Sequence, residues 1–159
     1  MVDGYSGKLL RVDLTSEEIV KEDLDLDLTR QFLGGEGIAS TMLFKEVEPD
    51  TDPLGPDNRL IFMTGTFVAT NIPCGIKTTV VSKSPLTGIY GESVFSAPLG
   101  VDLKNAGYDG IIVKGRAKEP VYLWINDGQI QIKDAKHLWG KETFEAFDLV
   151  RKELGDTTF

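Results

Sequence analysis

The segment that most constrains this chain is residues 73–110 (PCGIKTTVVSKSPLTGIYGESVFSAPLGVDLKNAGYDG), where glycines, prolines and small polar residues separate short β-type runs. An ordered glycine loses more conformational entropy on folding than any other residue, so many tight turns are costly in a plain structural core. We therefore expect the backbone of this segment to approach either another backbone or a ligand closely.

Composition narrows the class of protein. The chain has 159 residues, of which 41% are hydrophobic and 26% are charged, as in a globular domain with a real core. The net charge of -8 argues against a general nucleic-acid binder, which needs a basic face to displace counterions. It does not prevent a local basic pocket from binding an anionic ligand.

The single cysteine and the short apolar runs argue against a disulfide-bonded, thiolate-metal or membrane-spanning protein. Cys74 alone cannot form an internal disulfide, nor a multi-thiolate metal or iron–sulfur site within this chain. No apolar run is long enough to span a bilayer, and residues 1–14 lack a basic region followed by an apolar signal core. We therefore predict a cytoplasmic protein with no membrane partner.

Several short segments have the composition of β-strands. Hairpins are predicted for residues 8–14 with 18–22, and for the two runs that flank the Asn-Asp-Gly turn at 126–128, the strongest hairpin signal in the chain. Further strands are predicted at residues 59–66, 78–84 and 110–115. Three prolines make residues 48–58 a loop.

Helical spacing of apolar residues predicts the helices. One helix covers residues 36–47, and its buried positions are Ile38, Ala39, Met42 and Leu43. Another starts at Pro98 and stops at Gly107. The last covers residues 141–155 and stops at Gly155. Its predicted buried stripe is Phe144, Phe147, Val150 and Leu154.

Together these elements predict an α+β fold of antiparallel β-sheets with two or three peripheral helices, plus a helical turn or two at residues 28–33. The strands do not alternate regularly with helices, which argues against a doubly wound nucleotide-binding sheet. Neither a repeat nor a second domain boundary is visible, so we treat residues 1–159 as one domain.

The sequence assigns no catalytic residue and no metal ligand. Cys74 and His137 are the only residues of their types, and nothing in the sequence places them together as a nucleophile and its base. We predict that Cys74 is a small packed residue and that His137 lies at the surface or at a helix start. The acidic residues between 46 and 52 are expected to form the solvated rim of a loop.

Lys77 and Lys83 differ from the other charged residues because they lie in or beside the glycine-rich segment. There, backbone N–H groups can point inward and, with a lysine, bind phosphate-like oxygens. The alternative is that both are ordinary lysines on the surface of a strand.

Motifs along nearly the whole chain resemble the N-terminal domain of the tungsten-containing aldehyde ferredoxin oxidoreductases. The two most specific are residues 83–88 (KSPLTG) and 103–110 (LKNAGYDG). They are joined, in order along the chain, by 7–14 (GKLLRVDL), 32–35 (FLGG), 52–58 (DPLGPDN), 120–123 (PVYL) and 137–141 (HLWGK). Any one of these motifs is weak, whereas their joint presence in order is a strong signal.

This resemblance implies a large redox enzyme that carries tungsten on two pterin dithiolenes beside a 4Fe–4S cluster. Such an enzyme oxidises aldehydes to carboxylates and passes electrons to ferredoxin. The N-terminal domain is implied to be a base of antiparallel sheets under the bis-pterin cofactor, while the cluster cysteines come from later domains. The chain stops before the glycine- and arginine-rich segment that completes the pterin cradle, so the domain is expected to be incomplete at its C-terminal end.

The resemblance also implies the cofactor-binding residues. Lys77, in Gly75-Ile76-Lys77, stands where the family has an arginine that contacts the pterin, and it keeps the positive charge without the planar fork. Val94 stands where an asparagine offers its backbone carbonyl to a magnesium ion joining the pterins, a role any residue can fill. Ser96 and Ala97 replace glycines under the pterin phosphates, adding a β-carbon at each position.

Two functional hypotheses follow. In the first, the chain supplies the cofactor base of an aldehyde ferredoxin oxidoreductase, and the isolated chain is inactive without the remaining domains or subunit. In the alternative, the chain is a non-catalytic scaffold or binding subunit that has kept the fold and lost the pterin site, for example as a homo-oligomer. A third hypothesis, that the chain binds a different anionic cofactor, rests on Lys77 and Lys83 alone.

Overall fold

The computed structural model describes residues 4–126 and 128–155, which divide into two compact units. The first unit ends at Arg116 and the second begins at Ala117. Both contain β-strands and helices, which confirms the predicted α+β class.

A six-stranded sheet forms the first unit, with the strand order β2-β1-β6-β3-β4-β5. Its strands are β1 (Lys8–Asp13), β2 (Glu18–Asp23), β3 (Leu60–Thr64), β4 (Lys77–Lys83), β5 (Tyr90–Ser96) and β6 (Gly110–Lys114). Strands β1 and β6 run parallel, and each other neighbouring pair is antiparallel. The sheet is therefore mixed, because the chain crosses over between β1 and β6.

Three helices belong to this unit: α1 (Leu26–Phe32), α2 (Glu36–Glu46) and α3 (Pro98–Asn105). Helix α2 packs on the sheet through the four residues that its spacing predicts, so that prediction is confirmed. The core on this side consists of Leu9, Leu24, Ile38, Ala39, Met42, Leu43, Ile61, Met63, Val81 and Ile112. The side chain of Asp25 accepts a hydrogen bond from the N–H of Asp27 and caps α1.

Helix α3 lies against the other face of the sheet, where Gly100 contacts Thr78. A β-carbon built on Gly100 would lie only 2.2 Å from Thr78 Oγ1. Thr78 is fully buried, and its hydroxyl has no hydrogen-bond partner among the described residues. Glycine at position 100 therefore allows α3 to approach the start of β4 closely.

Strand β5 was not predicted from the sequence. It forms the edge of the sheet and pairs along its whole length with β4, yet none of its residues is buried. Without a buried face, the segment has no apolar alternation to mark it as a strand.

The second unit contains the hairpin of β7 (Val121–Asn126) and β8 (Gln129–Asp134), a 3₁₀ helix (Lys136–Leu138) and helix α4 (Thr143–Leu154). The hairpin is confirmed, although turn residue Asp127 lies outside the described residues. A polar cluster joins these elements, because Glu153 accepts a hydrogen bond from Tyr122 at 2.9 Å and pairs with His137 at 3.1 Å.

The predicted buried stripe of α4 is wrong. Phe144 is 85% exposed, Phe147 is 48% exposed, and no residue of α4 is buried. The stop at Gly155 is confirmed, since this residue takes the left-handed conformation with φ 83. Helical periodicity shows that α4 has an apolar face, but it cannot show what covers that face.

None of the helices in the described part of the chain is both long enough and apolar enough to cross a membrane.

Candidate cofactor-binding surface

Strands β4 and β5 bring together the three residues predicted to bind the cofactor. Lys77 pairs directly with Ser96, and two residues along the strands Thr79 pairs with Val94. Alternate residues of a strand lie on one face, so these three residues share a face with Thr79. This is the face of the sheet that α2 covers further along β4, at Val81.

The predicted side chains are accessible at the edge of the sheet. Lys77 and Ser96 are exposed, and Val94 is 49% exposed. Within the described residues, the ammonium group of Lys77 has neither a hydrogen bond nor an ion pair. A positive charge that the protein does not itself neutralise can bind an anionic group.

The residue after β5, Ala97, adopts an extended conformation with φ −149 and ψ 162. Any residue can adopt this conformation, so a β-carbon carries no backbone penalty here. The change from the glycine of the family motif to Ala97 is therefore compatible with this backbone. Ala97 also provides no side-chain cap for the helix α3 that follows it.

The start of α2 reaches the same part of the sheet through a short network of backbone hydrogen bonds. The N–H of Gly35 donates to the carbonyl of Thr64 at 3.0 Å, and the N–H of Gly65 donates to the carbonyl of Lys77 at 3.0 Å. The Gly34-Gly35 pair thus sets the first turn of α2 beside the start of β4.

The segments before β4 and after β5 expose apolar side chains. Their exposed fractions lie between 41% and 58%, and the residues are Phe67, Ile72, Ile76 and Leu99. Monomeric proteins rarely leave large contiguous apolar patches in water, and ligand sites commonly combine apolar lining with a few polar groups. Lys77, Ser96 and the nearby backbone supply the polar groups here.

Cys74 lies in the connection that leads into β4, and it is exposed. The prediction that it is a small packed residue is therefore wrong. Its φ of 64 places it in the left-handed region, which non-glycine residues seldom occupy. The neighbouring Gly75 packs closely, because a β-carbon there would lie 2.6 Å from the carbonyl oxygen of Phe67.

Lys83 has a structural role at the other end of β4. Its ammonium group donates to the carbonyls of Pro49 and Thr51, at 2.5 and 2.8 Å. Asn58 also donates to the carbonyl of Lys83 at 3.0 Å. Lys83 therefore stabilises the loop that precedes β3 and does not lie in the same site as Lys77.

A buried ion pair holds the end of β3 near this surface. Lys104 Nζ lies 3.3 Å from Asp109 Oδ1, and the two side chains are 0% and 3% exposed. The carboxylate of Asp109 also accepts the N–H groups of Ser6 and Gly7, at 3.0 and 2.6 Å. Its backbone carbonyl accepts from the N–H of Thr64 at 2.9 Å.

Burial lowers the pKa of Lys104, and the charge of Asp109 opposes this effect. Lys104 and Asp109 both lie in the motif at residues 103–110, but nothing in that motif shows that the two side chains pair.

The side chains of this surface can bind an anionic group. Across residues 4–126 and 128–155, no three His, Cys, Asp or Glu side chains come close enough together to hold a metal ion. The exposed surface combines one free ammonium group, a serine hydroxyl, a helix start and an apolar surround. These groups fit an anionic, partly apolar organic ligand.

Comparison with known proteins identifies the family. The family model for the aldehyde ferredoxin oxidoreductase N-terminal domain matches residues 9–159. The tungsten-containing aldehyde ferredoxin oxidoreductase of Pyrococcus furiosus is 43% identical over 152 residues, which are 96% of this chain and 25% of that protein. The aliphatic sulfonate oxidoreductase WOR-like subunit of the same organism is 44% identical over 153 residues, covering 94% and 24%.

A solved structure shares the fold. The active-site complex BamBC of benzoyl coenzyme A reductase, bound to 1,5-dienoyl-CoA, matches with a TM-score of 0.94 and 37% identity. The match covers 98% of this chain and 24% of that one. This chain thus spans about a quarter of the length of the relatives it matches, and it belongs to the aldehyde ferredoxin oxidoreductase family, a family of tungstopterin oxidoreductases, as its N-terminal domain.

Proposed function

We propose that this chain supplies the base on which the tungsten bis-pterin cofactor of a larger oxidoreductase rests. The observation that carries the proposal is the register of β4 and β5, which places Lys77, Val94 and Ser96 on one accessible face. Lys77 would meet an acidic group of the cofactor, and Ser96 would donate or accept a hydrogen bond beside it. The backbone carbonyl of Val94 would be a ligand for a magnesium ion bound with the cofactor.

The remaining chemistry belongs to other domains or to another subunit. The bound cofactor would carry out the redox step, while this chain binds and orients it. We propose a 4Fe–4S cluster, ferredoxin as the electron acceptor and aldehydes as the substrates of the complete enzyme, with family membership as the support. The names of the relatives refer to an aldehyde, a sulfonate and a coenzyme A thioester, so we assign the choice of substrate to parts outside this chain. We place the assembled enzyme in the cytoplasm.

The test is the tungsten and pterin content of the protein that contains this chain, purified from a host that makes the cofactor. We expect tungsten and pterin to copurify with the complete assembly, and the isolated chain not to reduce a dye with an aldehyde. Aldehyde oxidation by the isolated polypeptide would contradict the proposal. A folded assembly that never takes up pterin would favour the alternative, a scaffold that has lost the site.

Lys77→Ala should reduce the cofactor affinity of the complete protein by about tenfold, because an interaction with a charged group contributes about 1.5 kcal/mol or more. Pterin retained after gel filtration would measure the effect. Lys45→Ala is the matched control, since Lys45 is also an exposed lysine but lies in the last turn of α2. Equal pterin retention by both variants would show that Lys77 does not bind the cofactor.

A further inference from the structure

An exposed group of apolar side chains surrounds the connection between β4 and β5. We call this group the hairpin-end patch; its exposed fractions range from 43% to 92%, and its members are Phe44, Leu54, Leu86, Ile89 and Tyr90. The cofactor-binding surface lies at the start of β4, whereas Tyr90 pairs with Lys83 at the end of this strand. A strand of seven residues spans about 20 Å, so the patch is separate from that surface.

Helix α2 places Phe44 beside the edge strand. The hydroxyl groups of Ser40 and Tyr90 lie 3.0 Å apart and form a hydrogen bond between α2 and the first residue of β5. Phe44 follows Ser40 by four residues, so the two side chains lie on the same side of the helix. Phe44 is 88% exposed, so the described part of the chain leaves its ring uncovered.

The loop before β3 brings Leu54 to the same end of the sheet. Asn58 Nδ2 donates to the carbonyls of Pro53 and Lys83, at 2.8 and 3.0 Å. Leu54 follows Pro53 directly and is 72% exposed. The loop therefore presents this leucine beside the end of β4.

The connection between the two strands is closed by its backbone and exposes its apolar residues. The N–H of Ser84 donates to the carbonyl of Ile89, and the N–H of Gly88 donates to the carbonyl of Ser84, both at 2.8 Å. These bonds do not use the side chains of Leu86 and Ile89, which are 92% and 68% exposed. Apolar side chains that the turn itself does not need indicate a surface that another molecule covers.

The rim of the patch is acidic. Residues 44–57 carry a single exposed lysine, Lys45, and four exposed carboxylates, which belong to Glu48, Asp50, Asp52 and Asp57. None of the four carboxylates forms an ion pair within residues 4–126 and 128–155. Lys83 binds the carbonyls of Pro49 and Thr51, which alternate with the first three of these acidic residues. The acidic loop therefore borders the connection between β4 and β5.

This charge pattern selects the class of partner. A second copy of this chain would bring the same carboxylates together across a two-fold interface, and like charges that face each other oppose association. An anionic membrane surface would be repelled in the same way. A protein surface that combines apolar side chains with lysine or arginine residues complements both the patch and its rim.

We propose that the hairpin-end patch is the docking site for a separate subunit of the oxidoreductase, one with a basic and apolar contact surface. Phe44 and Leu86 are the apolar anchors, and Glu48 and Asp50 pair with basic residues of that subunit. This inference rests on the proposed function, in which part of the chemistry belongs to another subunit. The parts that complete the cofactor site contact the opposite end of the hairpin, which leaves this patch to the docked subunit.

The test uses the complete assembly at low and at high ionic strength. Native mass spectrometry reports which subunits are bound, and hydrogen exchange reports the protection of residues 48–57 and 84–90. We expect these residues to be protected at low ionic strength. High ionic strength should release the separate subunit and remove the protection, because salt screens the attraction between exposed charges.

Leu86→Lys should weaken docking by about ten- to hundredfold, since it removes a leucine that docking buries and adds a charge of the partner's own sign. Leu86→Ala adds no charge and should weaken docking by about tenfold. Val20→Lys is the matched control, because Val20 is also an exposed apolar residue but lies in β2, at the opposite edge of the sheet. This control should dock like the unchanged chain, and all three variants should retain the pterin.

Replacing two carboxylates of the rim tests the charge pattern. Glu48→Gln combined with Asp50→Asn should weaken docking by about two- to fivefold and make it less sensitive to ionic strength. Neither side chain makes a hydrogen bond or an ion pair within the described residues, so the fold of the double variant should be unchanged.

Several results would overturn the inference. They are equal docking by Leu86→Lys and Val20→Lys, docking that does not respond to ionic strength, and protection of residues 84–90 when only copies of this polypeptide or anionic phospholipid vesicles are present. An assembly that takes up pterin while residues 84–90 stay unprotected would reject the docking site and leave the proposed function intact. A subunit docked on this patch in an assembly that never takes up pterin would support the docking site and reject the proposed function.

Discussion

Replacing Asp109 with asparagine should lower the free energy of unfolding by about 3–5 kcal/mol, since removing one partner of a buried ion pair leaves the other charge uncompensated. Lys104 would stay buried with its side chain 0% exposed, and its pKa, already lowered by burial, would fall further. The N–H groups of Ser6 and Gly7 would also lose a charged acceptor. Urea denaturation of the chain measures the change.

The matched control is Asp23→Asn. Asp23 also pairs with a lysine, Lys8, at 2.7 Å, but both side chains are largely exposed. Exposed pairs typically contribute less than about 1 kcal/mol, so this variant should be nearly as stable as the unchanged chain. Similar losses for Asp109→Asn and Asp23→Asn would show that the buried pair does not anchor the N-terminal segment.

Replacing Gly100 with alanine should lower the free energy of unfolding by about 1–3 kcal/mol, the usual effect of overpacking a core. The new β-carbon would lie 2.2 Å from Thr78 Oγ1 and 3.5 Å from a methyl carbon of Val68. Helix propensity alone would favour alanine here by about 1 kcal/mol, so a net loss identifies the steric effect. Thermal unfolding followed by circular dichroism measures it.

A double-mutant cycle with Thr78→Ala isolates this contact. Removing the threonine side chain opens space for the new methyl group, so Gly100→Ala should cost much less in that background. An unchanged cost in the Thr78→Ala background would mean that α3 does not pack against β4 through these two residues.

Local signals account for the elements that the sequence predicted correctly. Helix α2, both hairpins and the glycine stops each depend on residues close in sequence, such as Ile38 with Met42 or the turn before Gly128. Strand β5 could not be found in this way. It is held by its partner strand rather than by an apolar face of its own.

The sequence likewise predicted some features of the candidate site, and only the structure shows the others. Lys77, Val94 and Ser96 came from the family resemblance, and only the register of β4 and β5 shows that they share a face. The first turn of α2 comes from about forty residues earlier in the chain, and no pattern in the sequence connects Gly35 with Thr79. Lys83 looked equivalent to Lys77 in sequence, but its bonds to Pro49 and Thr51 depend on the path of a distant loop.

The most direct measurement of the central claim is amide hydrogen exchange of this chain with and without tungsten bis-pterin cofactor, added under anaerobic conditions. If the chain is the cofactor base, the cofactor should slow exchange at the start of β4, at the end of β5 and in the first turn of α2, and Lys77→Ala should diminish this protection. Strand β2, at the opposite edge of the sheet, should exchange at the same rate in both states. Unchanged exchange at β4 and β5, or protection confined to other parts of the chain, would contradict the account.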